Sequence, residues 1–232
     1  MTSWPRRAPA LDRWRFRGFI AGLGTASGTR LVVGHWPRSP LGPFTDVMVE
    51  HANGQRLLLA PFEEVADLVA DKYSFDEVAI QPVLLATDGP RAAGRRWHVE
   101  AGPLRLRFLA GPRTSLGWVL RTIPTPLARQ PGFATLIDPL ASRVLSGVHT
   151  AGRGPSGRRS WYCATDMHAI MLAEAHWEGR DLGGLRPVEP AVGFGFSSTP
   201  RHPCVTTVVS TVEVATVPSQ RRPHARIGGE SS

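Results

Sequence analysis

Asp46-Val47-Met48-Val49-Glu50-His51-Ala52-Asn53-Gly54-Gln55-Arg56-Leu57-Leu58-Leu59-Ala60 reads as two strands joined by a tight turn. The flanking runs are short and rich in apolar side chains. Asn53-Gly54 between them tolerates the positive φ angles that a tight hairpin requires. Pro61 follows at a position suited to the first turn of a helix, and Glu63 and Glu64 favour the positive end of its dipole. Phe62, Val65, Leu68, Val69 and Tyr73 share one helical face, so the spacing predicts a helix packed on the sheet and ending near Ser74. Val78–Leu85 then returns as a strand.

The same grammar extends in both directions. Upstream, Arg17–Ile20 and Thr29–Gly34 read as strands around the glycine-rich stretch Ala21–Gly28. That stretch has GxGxxxG spacing, but Leu31-Val32-Val33 follows where a phosphate-binding loop needs a helix start, so it reads as a strand connection and no cofactor is expected. Downstream, Trp97–Glu100 and Leu104–Leu109 form a second hairpin around Gly102-Pro103. Leu104, Leu106 and Phe108 alternate with Arg105 and Arg107, which gives one buried and one wet face. A short helical turn is expected near Trp118–Arg121, and a helix capped by Asp138 and stopping at Gly147. Trp161–Thr165, Ala169–Trp177, Ala191–Phe196 and Val205–Val214 complete the strands, with 166–177 also compatible with a helical period. The fold class is therefore α+β and β-rich. It is a largely antiparallel sheet, closed or nearly closed into a barrel, with two or three short helices. The barrel is expected over residues 13–217, between flexible basic tails at 1–12 and 218–232.

Charge narrows the partners. The formal net charge of the 232-residue chain is +8. Residues 1–17 carry five arginines against Asp12, and residues 218–232 carry three against Glu230, so the body between holds only +2 of the total. Arg95-Arg96 and Arg158-Arg159 are isolated pairs without interleaved aromatics, so no specific nucleic-acid surface is expected. Lys72 is the only lysine, and it is expected to face solvent. Cys163 and Cys204 have no metal-ligand spacing and read as buried thiols of a reducing compartment. No apolar run reaches the length of a membrane span, and glycines dilute the stretch after Arg17 that faintly resembles an export signal. The expected location is cytoplasmic, and the expected partner is a small-molecule ligand.

Several side chains are candidates for a site. Asp166 and His168 lie two apart, followed by Glu174 and His176, and a shared strand face would permit an acid–base pair or two metal ligands. The alternative is a capping aspartate beside half-buried histidines. Trp161 beside Tyr162 would offer a stacking platform, or fill the core. No GxSxG elbow is present.

Three segments, in order, share short motifs with a known family. They are Leu41-Gly42-Pro43-Phe44-Thr45-Asp46; the Val65–Tyr73 helix with Ser74-Phe75-Asp76-Glu77-Val78; and Ala173-Glu174-Ala175-His176-Trp177-Glu178-Gly179 with Leu182. Together they resemble the acetoacetate decarboxylase family over roughly residues 30–215. The resemblance implies that Asp46 lines a cavity as that family's acid does. It also implies that Asp76 and Glu77 stand where the family has its reactive lysine pair. Carboxylates cannot form a Schiff base. The expectation is a small-molecule enzyme using Asp46, Asp76 and Glu77 as catalytic carboxylates, with Arg30, Trp161, Asp166 and His168 contacting ligand and no metal. The alternative is a non-catalytic barrel that binds an apolar or cationic metabolite.

Overall fold

The structure, a computed structural model, describes residues 11–88, 95–122, 151–153, 159–195 and 199–215. The helix expected at Asp138–Gly147 and both terminal tails up to residue 10 and from 216 lie outside them. In chain order the elements are β1 (Leu11–Thr25), β2 (Arg30–Arg38), β3 (Phe44–Glu50), β4 (Arg56–Ala60), α1 (Glu63–Ala70), β5 (Glu77–Ile80) and β6 (Val83–Thr87). They continue as β7 (Arg95–Ala101), β8 (Leu104–Arg113), α2 (Ser115–Thr122) and β9 (Ala151–Arg153), then β10 (Arg159–Trp177), β11 (Arg180–Asp181), β12 (Leu185–Arg186) and β13 (Cys204–Ala215). One sheet runs in the order β5-β4-β3-β2-β1-β13-β10-β8-β7-β6, with β9 and β11 on β10 and β12 on β1.

Every pairing is antiparallel except β4 with β5, where α1 makes the crossover that parallel neighbours need. The hairpin turn forms as its sequence predicts: Gly54 takes φ +87° and the Asn53 side chain accepts the Gln55 N–H at 3.0 Å. Gln81 still donates to the Ala60 carbonyl at 2.9 Å, but Pro82 has no N–H to continue the ladder. The chain leaves one edge of the sheet there and begins β6, which is the other edge. Two residues thus join the two edges, so the sheet must curl round on itself. The expected closed barrel is corrected in this respect: no ladder joins β5 to β6, and the sheet is a β-rich, mostly antiparallel one that stays open at this seam.

Long strands carry the curl. The expected loop at Ala21–Gly28 is strand as far as Thr25, and two expected strands, or a strand and a helix, merge into the 19-residue β10. Register shifts after Ala164, His168 and Ile170 bend β10, so it pairs first with β13 and then with β8. Of the expected strand at Ala191–Phe196, the described residues 191–195 join no ladder and make one isolated bridge, from Gly195 to Tyr73.

The curled sheet has two packed faces. Inside, Leu23, Val33, Val47 and Leu59 meet Trp97, Leu106 and Phe108. Outside, Phe16, Trp36, Met48 and Leu58 meet Val65 and Val69 of α1. Strand β3 is consequently buried along its whole length, whereas β8 keeps the alternation read from its sequence. Cys163 and Cys204 are buried free thiols, and burial pushes both up to about 11. No helix among the described residues is long and apolar enough to cross a membrane.

A buried ion pair fastens the outer layer. Arg30 and Glu50 meet at 2.8 Å, with side chains 5% and 9% exposed. Glu50 also accepts the Gly193 N–H, while Arg30 donates to the Pro190 and His51 carbonyls at 3.4 Å. Truncating one partner strands a charge out of water. Glu50→Ala should therefore lower unfolding free energy in urea by about 3–5 kcal/mol. The double change Arg30→Met with Glu50→Leu should cost far less, because both charges leave together.

Candidate functional site

The sequence candidates separate into three places. Asp46 lies on the outer face of β3, under α1. Trp36 Nε1–H donates to its Oδ1 at 3.0 Å. Gly34, its cross-strand partner, makes the room: a Cβ there would sit 2.5 Å from that oxygen and 2.7 Å from the indole nitrogen. Burial raises the Asp46 carboxyl to about 6, although the indole hydrogen bond and the Lys72 charge pull it down. Lys72 is buried, not solvent-facing as its sequence position predicted, because the chain turns inward after α1. Its ammonium lies 5.4 Å from the centre of the Phe16 ring. Next to it, the Tyr73 and Tyr162 hydroxyls meet at 2.9 Å. Burial, Tyr162 and Asp46 push the Tyr73 phenol well above its ordinary range.

Asp76 and Glu77 do not join this cluster. The register pairs Glu50 with Arg56 and Val47 with Leu59, so Asp46 lies at the far end of β3 from the start of β5. Asp76 is held on the surface by Arg56, Nε to Oδ2 at 3.1 Å and Nη2 to Oδ1 at 2.7 Å. These hydrogen bonds hold its carboxyl down to about 2. Glu77 is exposed beside Gln55, 3.5 Å away. The three carboxylates expected to converge are therefore apart, two of them solvated. Arg30 is committed to Glu50 and to the segment it fastens. Trp161 is buried, with the Arg13 guanidinium 5.5 Å from its ring centre.

Asp166 and His168 do come together. His168 Nε2 lies 3.4 Å from Asp166 Oδ2, and its Nδ1 lies 3.2 Å from the Gly111 carbonyl oxygen. Arg113 grips the carboxylate side-on, Nε to Oδ1 at 2.7 Å and Nη2 to Oδ2 at 2.9 Å, and Arg121 of α2 approaches to 3.7 Å. Burial alone would raise the Asp166 carboxyl, but Arg113 and the Met167 N–H hold it below its ordinary value. Asp166 lines a cavity of about 470 Å³ together with Arg17, Phe19, Arg38, Arg121 and Thr207.

That cavity is cationic. Arg17 and Arg38 stand directly opposite each other across β1 and β2. Like charges in that relation repel. Neither has a hydrogen bond or ion pair among the described residues. The one acid among the described residues that line the cavity, Asp166, is already paired with Arg113 and Arg121. The sequence hid this set, since Arg17 read as tail charge and only the bulge between Arg17 and Phe19 sets it against Arg38. The period-two spacing of Arg13, Arg15 and Arg17 is the signal that a strand had already begun.

Elsewhere, His98, Arg107 and Glu174 form one cross-strand row, and Glu100, Arg105 and His176 another. In each row an arginine stands between an acid and a histidine on the wet face of the sheet. Among the described residues no three His, Cys, Asp or Glu side chains gather to hold a metal ion.

The Asp46 carboxyl gives a signed expectation. An acid raised by burial opposes folding when ionised: the unfolded chain loses its proton first, so stability falls as pH rises from about 4 through about 6 and then levels. Asp46→Asn, which keeps an acceptor for Trp36, should remove that fall. It should add roughly 2–3 kcal/mol at pH 8 relative to pH 4, read from denaturant curves at both pH values.

No family model matches the chain, and no curated protein matches it. Among solved structures, the crystal structure of a candidate AttH protein from Nitrosomonas europaea matches at 12% identity with a TM-score of 0.30. The match covers 95% of this chain and 60% of that one, so this chain spans less than two thirds of its neighbour's length.

Proposed function

We propose that this protein binds a small anionic molecule in the cavity lined by Arg17, Arg38 and Arg121. The observation that carries the reading is the opposed pair Arg17 and Arg38, two like charges set face to face beside a cavity where no free acid among the described residues relieves them. An anion seated between them would turn a repulsion into two charge-assisted hydrogen bonds. Arg113 supports the reading by taking up Asp166, so the carboxylate does not compete for the arginines. This departs from the non-catalytic alternative read from the sequence, an apolar or cationic metabolite, because Arg17, Arg38 and Arg121 line the cavity whereas Asp46, Asp76 and Glu77 do not.

A second reading keeps the catalytic expectation and the acetoacetate decarboxylase likeness. It is favoured by Asp46 standing beside the chain's single lysine, both buried under α1. Asp76 and Glu77 would then have no part in the chemistry. Turnover of a carbonyl compound that is lost in Asp46→Asn would favour this reading over the first.

The binding reading makes its own forecast. Millimolar phosphate or benzoate should raise Tm, and choline at the same ionic strength should not; at one hundred times Kd the gain is about 2.7 kcal/mol. Arg17→Gln with Arg38→Gln should abolish that gain while slightly stabilising the ligand-free protein, by several tenths of a kcal/mol. Equal stabilisation by choline, or an undiminished response in the double variant, would sink the reading. Tight duplex DNA binding through the same two arginines would replace it with a nucleic-acid surface.

A further inference from the structure

Behind Phe19, at the same end of the curled sheet, a second arginine site is built into the inner core. Arg95 opens β7 and is only 4% exposed. Its guanidinium lies 5.9 Å from the centre of the Phe19 ring and 5.5 Å from that of Trp97. His35 completes the surround, stacked on Phe19 and edge-on to Trp97, with its Nδ1 3.0 Å from Thr45 Oγ1. Burial lowers the His35 pKa, and the Arg95 charge lowers it further.

Arg95 Nε and Nη2 are buried and have no hydrogen-bond partner among the described residues, and neither has the indole N–H of Trp97. Three buried donors thus lie in one mostly aromatic surround, where none of them is matched by an acceptor among the described residues. Leaving a charged donor unpaired out of water is costly, and a core retains such a group where something else answers it. Asp88 is the one acid whose charge bears on Arg95, and no ion pair within 4.0 Å joins them among the described residues.

Which acceptor fits can be read from the edge that is free. Nε–H and Nη2–H lie side by side and parallel, and that edge matches the two oxygens of a carboxylate. Among the described residues this edge grips both oxygens of a carboxylate in Arg113 with Asp166 and in Arg56 with Asp76, and one oxygen in Arg201 with Glu189. Phe19 and Trp97, their planes crossed at 77°, form an aromatic corner beside the guanidinium. A tetrahedral phosphate would press its remaining oxygens against ring faces, whose negative quadrupole repels them.

We infer that Arg95 and Trp97 form an inner seat for a planar carboxylate, with Phe19 as the wall it shares with the arginine-lined cavity. The inference deepens the proposed function by naming the ligand's acceptor group, and rests on it for the ligand's sign of charge and its way in. Arg95 makes the side-on pair, Trp97 adds the third donor, and Phe19 supplies the apolar face against which the body of the ligand lies.

Titration calorimetry with benzoate and with phenylphosphonate, on wild type, Arg95→Lys, Arg95→Met, Trp97→Phe and the Arg17→Gln/Arg38→Gln pair, tests this. Wild type should bind benzoate more tightly than phenylphosphonate. Arg95→Lys, which keeps the charge but not the parallel edge, should weaken benzoate by about tenfold or more. Trp97→Phe should weaken it by a smaller factor. Arg95→Met should abolish benzoate binding and raise the ligand-free Tm, since it removes an unanswered buried cation. That gain separates lost recognition from lost folding. Benzoate binding that depends on Arg17 and Arg38 but is unchanged in Arg95→Lys would overturn the inner seat and leave the outer cavity standing. The reverse pattern would keep the seat and remove the outer cavity. No measurable benzoate binding by wild type, equal affinity for phenylphosphonate, or a lower ligand-free Tm in Arg95→Met would each overturn the inference.

Discussion

Pro82 ends the ladder at one edge of the sheet, and the chain has only Gln81 and Pro82 in which to reach the other edge. A flat sheet of ten strands would be tens of ångströms wide at the usual strand spacing of about 4.8 Å. The short connection therefore forces the sheet to roll up, and the remaining architecture answers that demand. The long strands β1, β10 and β13 bend to follow the curvature, with register shifts in β1 and β10. The inner faces close on one another, so the interior is filled by Trp97, Leu106 and their neighbours and is not a pore. A seam without hydrogen bonds, with β6 running back alongside β3, is what remains where the edges meet.

Rolling also decides where chemistry can occur. Strands β1 to β4 contribute side chains to a packed cluster on each side, the inner core and an outer layer built by α1, Phe194 and β13, so polar groups on them must be matched or displaced to an end. Glu50 and Arg30 match each other. Asp46 is matched in part, by an indole and by the charge of a lysine. Arg38 ends β2 and faces Arg17 within β1, where a cavity opens whose acid among the described residues, Asp166, is already held by Arg113 and Arg121. Arg95 sits where the inner core reaches that end. Unmatched positive charge therefore accumulates at one end of the curl, and an anionic ligand is the simplest thing to balance it.

The sequence revealed local pattern better than placement. The Asn53-Gly54 turn, the amphipathic α1 and the alternating β8 are set by neighbours within a few residues, and each formed at its predicted place, although α1 stops at Ala70, short of the expected Ser74. Closure was misjudged because Pro82 was read inside a single strand, Val78–Leu85, and not as its end. Asp76 and Glu77 were brought to Asp46 by analogy with motifs, but strand register sets them apart. Asp166 with His168 was legible, since two residues on one strand share a face whatever the partner strand does. The arginines of the cavity come from β1, β2 and α2, and no local spacing links them.

The isolation of Lys72 has a consequence for the chemistry open to the folded protein. Every other basic side chain that is always charged is an arginine. The single ε-amine is shut beneath the end of α1 against Phe16. Acetylation, ubiquitination and amine-directed crosslinking at lysine thus have no accessible target while that layer is closed. The surface keeps its positive charge through arginine groups that neither these enzymes nor a moderate rise in pH can neutralise. A lysine-directed mark on this chain would be a record that the layer beneath α1 had opened.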